Sequence, residues 1–398
     1  MVEFAVSVEC FEKLAGVPIV NARGGIVVEN LDSGSSLQQT LDRDVPQPES
    51  LVRRLFKNRF GHWRAGWRLL VYLVAAFALG KLITTGLRLF MGNPAEAPFD
   101  SWLHSVLWVV ANFGLIAGAL LVLRWLDRRP AALLGLSLTP GWVRESAVGL
   151  VWGVGATGVL TVILIVSGSV SFAVSPQPAE SLATMPRYLF IFLMAATVEE
   201  LVFRGYPLQV LAEGSRRWIA GALLCIVFTM GHANNPDVTI IGIVNIFLAS
   251  IMLTVLYFQT RRLWLPIAVH VSWNFSQSWL LGFDVSGIKI DDQLIIMTPT
   301  GADLITGGEF GLEGSILSTI LFVVVIVWLL ASPVLRPTGE VAALWAPYPA
   351  GFGLEPALPP DAGDSMLDAR HARLSGSEME SDFADTEMSD TEDRVSKI

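Results

Sequence analysis

The sequence predicts an all-α fold, a polytopic transmembrane helical bundle of about eight spans, and three observations carry that prediction. The first is composition. Of 398 residues, 53% are hydrophobic and 16% charged, and the mean hydropathy is +0.55, values unlike those of a soluble globular chain. The second is the recurrence of apolar runs close to the ~20 residues that cross a ~30 Å hydrocarbon core. The third is that the connections between these runs alternate between rich and poor in Lys and Arg, as the positive-inside rule requires of a multi-pass protein.

The runs fall at 67–87, 102–124, 145–168, 187–211, 217–233, 239–258, 263–283 and 312–334. Arg53, Arg54, Lys57, Arg59 and Arg64 precede the first; Arg124, Arg128 and Arg129 follow the second; Arg216 and Arg217 follow the fourth; Arg261 and Arg262 follow the sixth. The alternate connections, around 91–101, 169–185, 234–238 and 284–311, hold few basic residues and include Glu96, Asp100, Asp237, Asp291 and Asp292. An even span count and this bias both place the two termini in the cytoplasm and the chain in the cell membrane. Trp63, Trp67, Trp102, Trp142, Trp218 and Trp264 fall near span ends, where amphipathic rings form an interfacial belt.

The transmembrane domain is expected over 61–335, between a cytoplasmic lead (1–60) and a cytoplasmic tail (336–398). The lead carries Glu3, Glu9 and Glu12 where a secretory signal would need a basic start and a long apolar run. The tail begins with a Pro-rich linker, and residues 359–398 hold eleven Asp/Glu against four Lys/Arg, so disorder is expected there. Cys10 and Cys225 sit in segments assigned to different environments, which argues against a disulfide. The chain has no tandem repeat, P-loop or dinucleotide fingerprint.

Within the fourth span, residues 188–212, stand two adjacent carboxylates, Glu199 and Glu200. An ionised carboxylate at a helix centre in hydrocarbon costs at least ~2.5 kcal/mol, so the pair marks a candidate functional site. Arg204 is four residues after Glu200 on the same helix face, in the favourable order for an ion pair, while Glu199 is turned about 100° away. The next spans contribute Phe228 and His232, then Asn245, then His270 and Asn274. At ~1.5 Å per residue from the basic turns, Glu199, His232, Asn245, His270 and Asn274 reach comparable depths and are expected to surround one polar chamber, opening towards the cytoplasm.

A carboxylate beside an imidazole can activate water as a general base, and donors from a second His and an Asn can hold an oxyanion. The set Glu199, His232 and His270 is equally a plausible three-ligand zinc site with one position open for water, although the soluble zinc-protease pattern HExxH is absent. Buried Glu, His and Arg would also suit an ion-coupled secondary transporter, a class that usually shows repeated halves. Here the polar residues are confined to one half.

The motifs Glu199-Glu200-x-x-x-Arg204, Phe228-x-x-x-His232, Asn245 and His270-x-x-x-Asn274, in consecutive spans over about 185–280, resemble the CAAX protease and bacteriocin-processing family, also called CPBP or Abi. The resemblance implies an intramembrane endopeptidase acting on a membrane-associated, in some members prenylated, protein or peptide at the lipid bilayer, with no nucleic-acid partner. It assigns water activation to Glu199 assisted by His232, and oxyanion stabilisation to His270 and Asn274. Glu200 and Arg204 become supporting residues, and Asn245 lines the cavity. A metal-free mechanism is the favoured expectation, with zinc the alternative. A catalytically silent member serving as a scaffold or immunity protein is the second alternative reading.

Overall fold

A computed structural model describes residues 63–91, 102–332 and 335–345, with short pieces at 19–20, 26–27 and 55–57. Contacts divide the chain into a unit ending at His62 and a unit beginning at Trp63. In the first, β1 (Ile19–Val20) pairs antiparallel with β2 (Ile26–Val27). Most of the expected lead, with Cys10, and the acidic tail beyond 345 lie outside the described residues; Cys225 is buried and free.

The second unit is mostly helical. Its elements are α1 (Ala65–Met91), α2 (Trp102–Leu121), α3 (Trp142–Val166), β3 (Val170–Val174), α4 (Pro178–Glu200), α5 (Tyr206–Gly214), α6 (Arg217–Gly231), α7 (Ile240–Thr260), α8 (Trp264–Phe275), β4 (Ile295–Pro299), α9 (Asp303–Thr306), α10 (Ile316–Ala331) and α11 (Gly339–Trp345). Local chemistry sets several boundaries. Pro178 opens α4, where its missing N–H is no loss. The Thr239 hydroxyl accepts the Gly242 N–H at the start of α7, and Ser315 accepts from Leu317 at the start of α10. Leu70, Phe77, Val151, Val162, Ile219, Val324 and Leu330 stand exposed on helix surfaces. Such a coat of large apolar side chains is what a bilayer, rather than water, would cover.

Four helices are long and apolar enough to cross a membrane: 65–90, 142–166, the continuous stretch 178–214, and 240–260. The expected count of eight exceeds this. Three further apolar helices, 112–126, 217–231 and 316–331, are shorter, and α8 has 12 residues before it widens into a π turn. The shortening has a visible origin, since α6 stops at His232 and α8 changes pitch just past Asn274. The all-α expectation also needs a small correction: β3 and β4 pair antiparallel, Val170 opposite Pro299 and Val174 opposite Ile295. Both are short β-branched and apolar runs in inter-span connections, and their partnership spans more than a hundred residues of chain.

One contact the hydropathy pattern concealed is the seam between α3 and α8. Gly149 and Gly153 form a GxxxG pair, the small-residue spacing that lets membrane helices approach closely. A Cβ on Gly153 would stand 2.0 Å from Ser272 Oγ and 2.7 Å from the Val269 carbonyl, whereas one on Gly155 would meet nothing within 4 Å. Gly153→Ala should therefore lower the thermal midpoint of the detergent-solubilised protein, by a cost of about 1–3 kcal/mol typical of overpacking, while Gly155→Ala leaves it nearly unchanged.

Candidate active site

The long helix 178–214 changes pitch directly after the paired acids. Leu201–Gly205 is a π turn that carries Arg204, inserted between α4 and α5. Such π turns recur at functional sites because they re-aim side chains without ending the helix. Here the turn keeps Arg204 on Glu200: Nη1 donates to Glu200 Oε1 at 2.9 Å, and both side chains are essentially fully buried. Arg204 also donates from Nη2 to Ser250 Oγ at 2.5 Å and to the Ser250 carbonyl at 3.1 Å, and from Nε to Thr254 Oγ1 at 3.4 Å. Its guanidinium lies over the Phe228 ring, 4.8 Å from the centroid.

Glu200 Oε1 meets His270 Nδ1 at 3.0 Å. Hydrogen-bonded this way, Nδ1 carries the proton and Nε2 is the ring atom left on the side of Glu199, whose Oε2 is 3.8 Å away. That gap is too long for a direct hydrogen bond. Glu199 is the more accessible acid of the pair, with 33% of its side chain exposed against 0% for Glu200. His232 caps α6 and its Nδ1 is 2.9 Å from the Phe228 carbonyl, so its Nε2 is likewise the uncommitted atom. The Phe228 ring lies between the elements, 4.7 Å from the His232 ring and 6.5 Å from that of His270.

Glu199, His232, Asn245, His270 and Asn274 all line one cavity of about 320 Å³; Glu200 and Arg204 stand behind it. Asn245 is committed elsewhere. Its amide donates to the Glu313 and Ser315 carbonyls at 2.7 and 2.8 Å and accepts from Thr319 at 2.7 Å, which fixes the turn before α10.

That turn brings a carboxylate the sequence reading passed over. Glu313 is buried, lines the same cavity, and accepts from Trp273 Nε1 at 3.2 Å and from Ser286 Oγ at 2.5 Å. Its position at the first residues of an apolar run made it look like a span boundary; only the fold turns it inward. Ser250 and Thr254, the partners of Arg204, were also missed. A Ser and a Thr four residues apart on an apolar helix carry no signal until the arginine is placed against them.

The expected opening towards the Arg-rich turns is corrected by the cavity's lining. Asn235, Ser286 and Lys289 border it, and they come from connections at the opposite end of the bundle. Each of those connections is tied to the others: Asn235 donates to the Ser286 carbonyl at 3.1 Å, and Gly287 (φ 78°) approaches Pro236 so closely that a Cβ would sit 1.9 Å from its carbonyl oxygen. Helix lengths measured from the basic turns held no information on where the connection 281–315 folds. At this rim, burial pushes the Asp284 carboxyl above its ordinary value, opposed by the nearby Lys289 ammonium.

Removing one partner of a buried ion pair leaves an uncompensated charge, at a cost of about 3–5 kcal/mol. Arg204→Ala should accordingly lower the midpoint of a tryptophan-fluorescence melt in detergent by that order. Arg204→Ala combined with Glu200→Gln should recover a substantial part of it.

No curated protein and no solved structure matches the chain. Residues 181–276, which supply Glu199, Glu200, Arg204, His232, Asn245, His270 and Asn274, match the family model described as Rce1-like, type II CAAX prenyl endopeptidase. The segment that builds most of the cavity is thus the part of the chain that is similar to CAAX-protease-type membrane proteins, a likeness that at the family level supports an intramembrane protease.

Proposed function

We propose that the protein is an intramembrane endopeptidase in which Glu199 activates the hydrolytic water. The observation that carries this reading is the approach of Glu199 to His270 across the chamber, with His270 held from behind by Glu200 and Arg204. A separation of 3.8 Å is bridged readily by one water, which would then touch both a base and an imidazole. Glu199 takes a proton from that water as its oxygen adds to the scissile carbonyl carbon. His270 acts here as the imidazolium, with Nδ1–H held on Glu200, so that its Nε2–H and the Asn274 amide N–H donate to the resulting oxyanion. When the tetrahedral adduct collapses, the C–N bond breaks and Glu199 returns the proton to the departing amine. His232, with Nδ1 tied to the Phe228 carbonyl, assists at the Glu199 side. Mostly apolar walls, including Phe192, Ile246, Met252 and Phe322, keep bulk water out and strengthen each of these electrostatic contacts.

In this reading the hydrolytic water is activated by the carboxylate without a metal. The zinc alternative would use Glu199, His232 and His270, yet the described residues gather no group of three His, Cys, Asp or Glu side chains at metal-holding distances. Activity is expected to persist after exhaustive chelation, with elemental analysis of the active protein showing no stoichiometric zinc; loss on chelation and return with zinc alone would replace this mechanism by the metal one.

The chemistry is tested with the full chain in detergent and a library of membrane-anchored peptides, products being read by mass spectrometry. Glu199→Gln should lower the turnover rate by about 10²–10⁴-fold, the usual contribution of a general base. Asn274→Ala should lower it by about 10²–10³-fold, the range for loss of one oxyanion donor. Cleavage undiminished in both variants would remove the proposal.

A further inference from the structure

We infer that the chamber receives its substrate from the membrane face opposite the cytoplasm, so that the bond it cleaves lies in an extracytoplasmic segment of a membrane-anchored protein rather than in a cytoplasmic tail. The substrate half of this inference rests on the hydrolytic reading above; the sidedness does not.

The two ends of the bundle are distinct in structure as well as in charge. At one end Arg68 pairs with Asp127 at 2.5 Å and with Glu213, and Arg129 also pairs with Glu213, joining the start of α1, the exit of α2 and the end of α5. At that same level Arg262, in the turn between α7 and α8, pairs with Glu145 at the start of α3 and donates to the Thr139 carbonyl at 2.9 Å. Arg128, Arg129, Arg216, Arg217, Arg261 and Arg262 crowd the turns of this end.

The other end is a roof built from 167–177, 232–239 and 281–315. The β3–β4 pair joins the first to the third, Ser181 donates to the Gln293 carbonyl at 3.1 Å, and Arg187 pairs with Asp292 at 3.1 Å. Those three connections hold one basic residue, Lys289, against Asp237, Asp284, Asp291, Asp292, Asp303, Glu309 and Glu313. Even with Lys81, Arg88 and Arg187 from the helices beside them, this end is acidic on balance. The positive-inside rule counts Lys and Arg in short connections near span ends, and by that count the Arg-crowded end is cytoplasmic and the roof is not.

The cavity belongs to the roofed end. Asn235, Ser286, Lys289 and Glu313 reach it from the roof itself, and Lys289 is solvent-exposed at its border. On the cytoplasmic side the way is filled by the Glu200–Arg204 pair, by Ser250 and Thr254, and by Gln209, Tyr257 and Leu133 packed beneath them. A peptide approaching from the cytoplasm meets this plug, whereas one approaching from the opposite face meets the opening beside Lys289.

The test is independent of catalysis in its first arm. Cys10 is replaced, the parent that keeps only the buried Cys225 serves as the unlabelled control, and one cysteine at a time is added to it as Lys289→Cys at the opening, Asp291→Cys on the roof or Ser215→Cys in an Arg-rich turn. Intact cells producing the full chain are then treated with a membrane-impermeant maleimide. Labelling of Lys289→Cys and Asp291→Cys, with Ser215→Cys labelled only after permeabilisation, is expected; the reverse pattern overturns the inference whatever the enzyme cleaves. In the second arm the same peptide library is displayed on a single-span anchor at either face. Cleavage on the outer face alone, abolished by Glu199→Gln, supports the substrate assignment. Cleavage confined to the cytoplasmic face overturns it. If outer labelling is obtained and neither display is cut, the sidedness stands and the hydrolytic reading falls.

Discussion

The site depends on one buried ion pair. Glu200 and Arg204 neutralise each other where neither could stand alone, and each then spends its remaining hydrogen-bonding capacity on a different helix: Glu200 on His270 of α8, Arg204 on Ser250 and Thr254 of α7. The pair thereby holds three helices in register around the place where chemistry would occur. A buried ion pair by itself is weak evidence of stability, because desolvation offsets much of the Coulombic attraction. Its worth here is in orientation, since it fixes which nitrogen of His270 faces Glu199.

Two adjacent glutamates thus occupy different environments although they are one residue apart. Glu200 is sealed behind the chamber with a guanidinium and an imidazole; Glu199, turned by one helical step, is left partly accessible with no Lys or Arg at salt-bridge distance among the described residues. The π turn that follows them is part of this separation. It widens the helix where Arg204 must reach back four residues while Phe203 reaches the Phe228 ring edge-on at 5.0 Å. Phe228 in turn serves as a platform on which Arg204, His232 and His270 are all positioned, which gives the Phe228-x-x-x-His232 spacing a physical reason beyond helix periodicity.

Much of the site was legible in the sequence, because intramembrane Glu, His and Asn are costly and so conspicuous, and because spacings of four place Glu200 with Arg204 and His270 with Asn274 on shared helix faces. What could not be read follows from geometry that hydropathy does not encode. The chain from 281 to 315 looks like an ordinary polar connection, yet it folds inward and brings Ser286, Lys289 and Glu313 to the chamber. The β3–β4 pairing joins residues whose separation leaves no local trace. Helices α6 and α8 end or change pitch beside the cavity, so the helices there are shorter than the apolar runs that contain them. The Gly149–Gly153 spacing gains meaning only once α8 is known to lie against it.

Asn245 introduces a division of labour. Its amide clamps the turn that presents Glu313, and so links the stretch 181–276 that matches a known family to a stretch that lies beyond it. Part of the ceiling of the cavity therefore comes from a chain segment outside the family match, at Ser286, Lys289 and Glu313. Substitutions there would change the entrance to the cavity while Glu199, Glu200, Arg204 and His270 keep their contacts, so that under the proposed function the choice of client and the chemistry would vary separately.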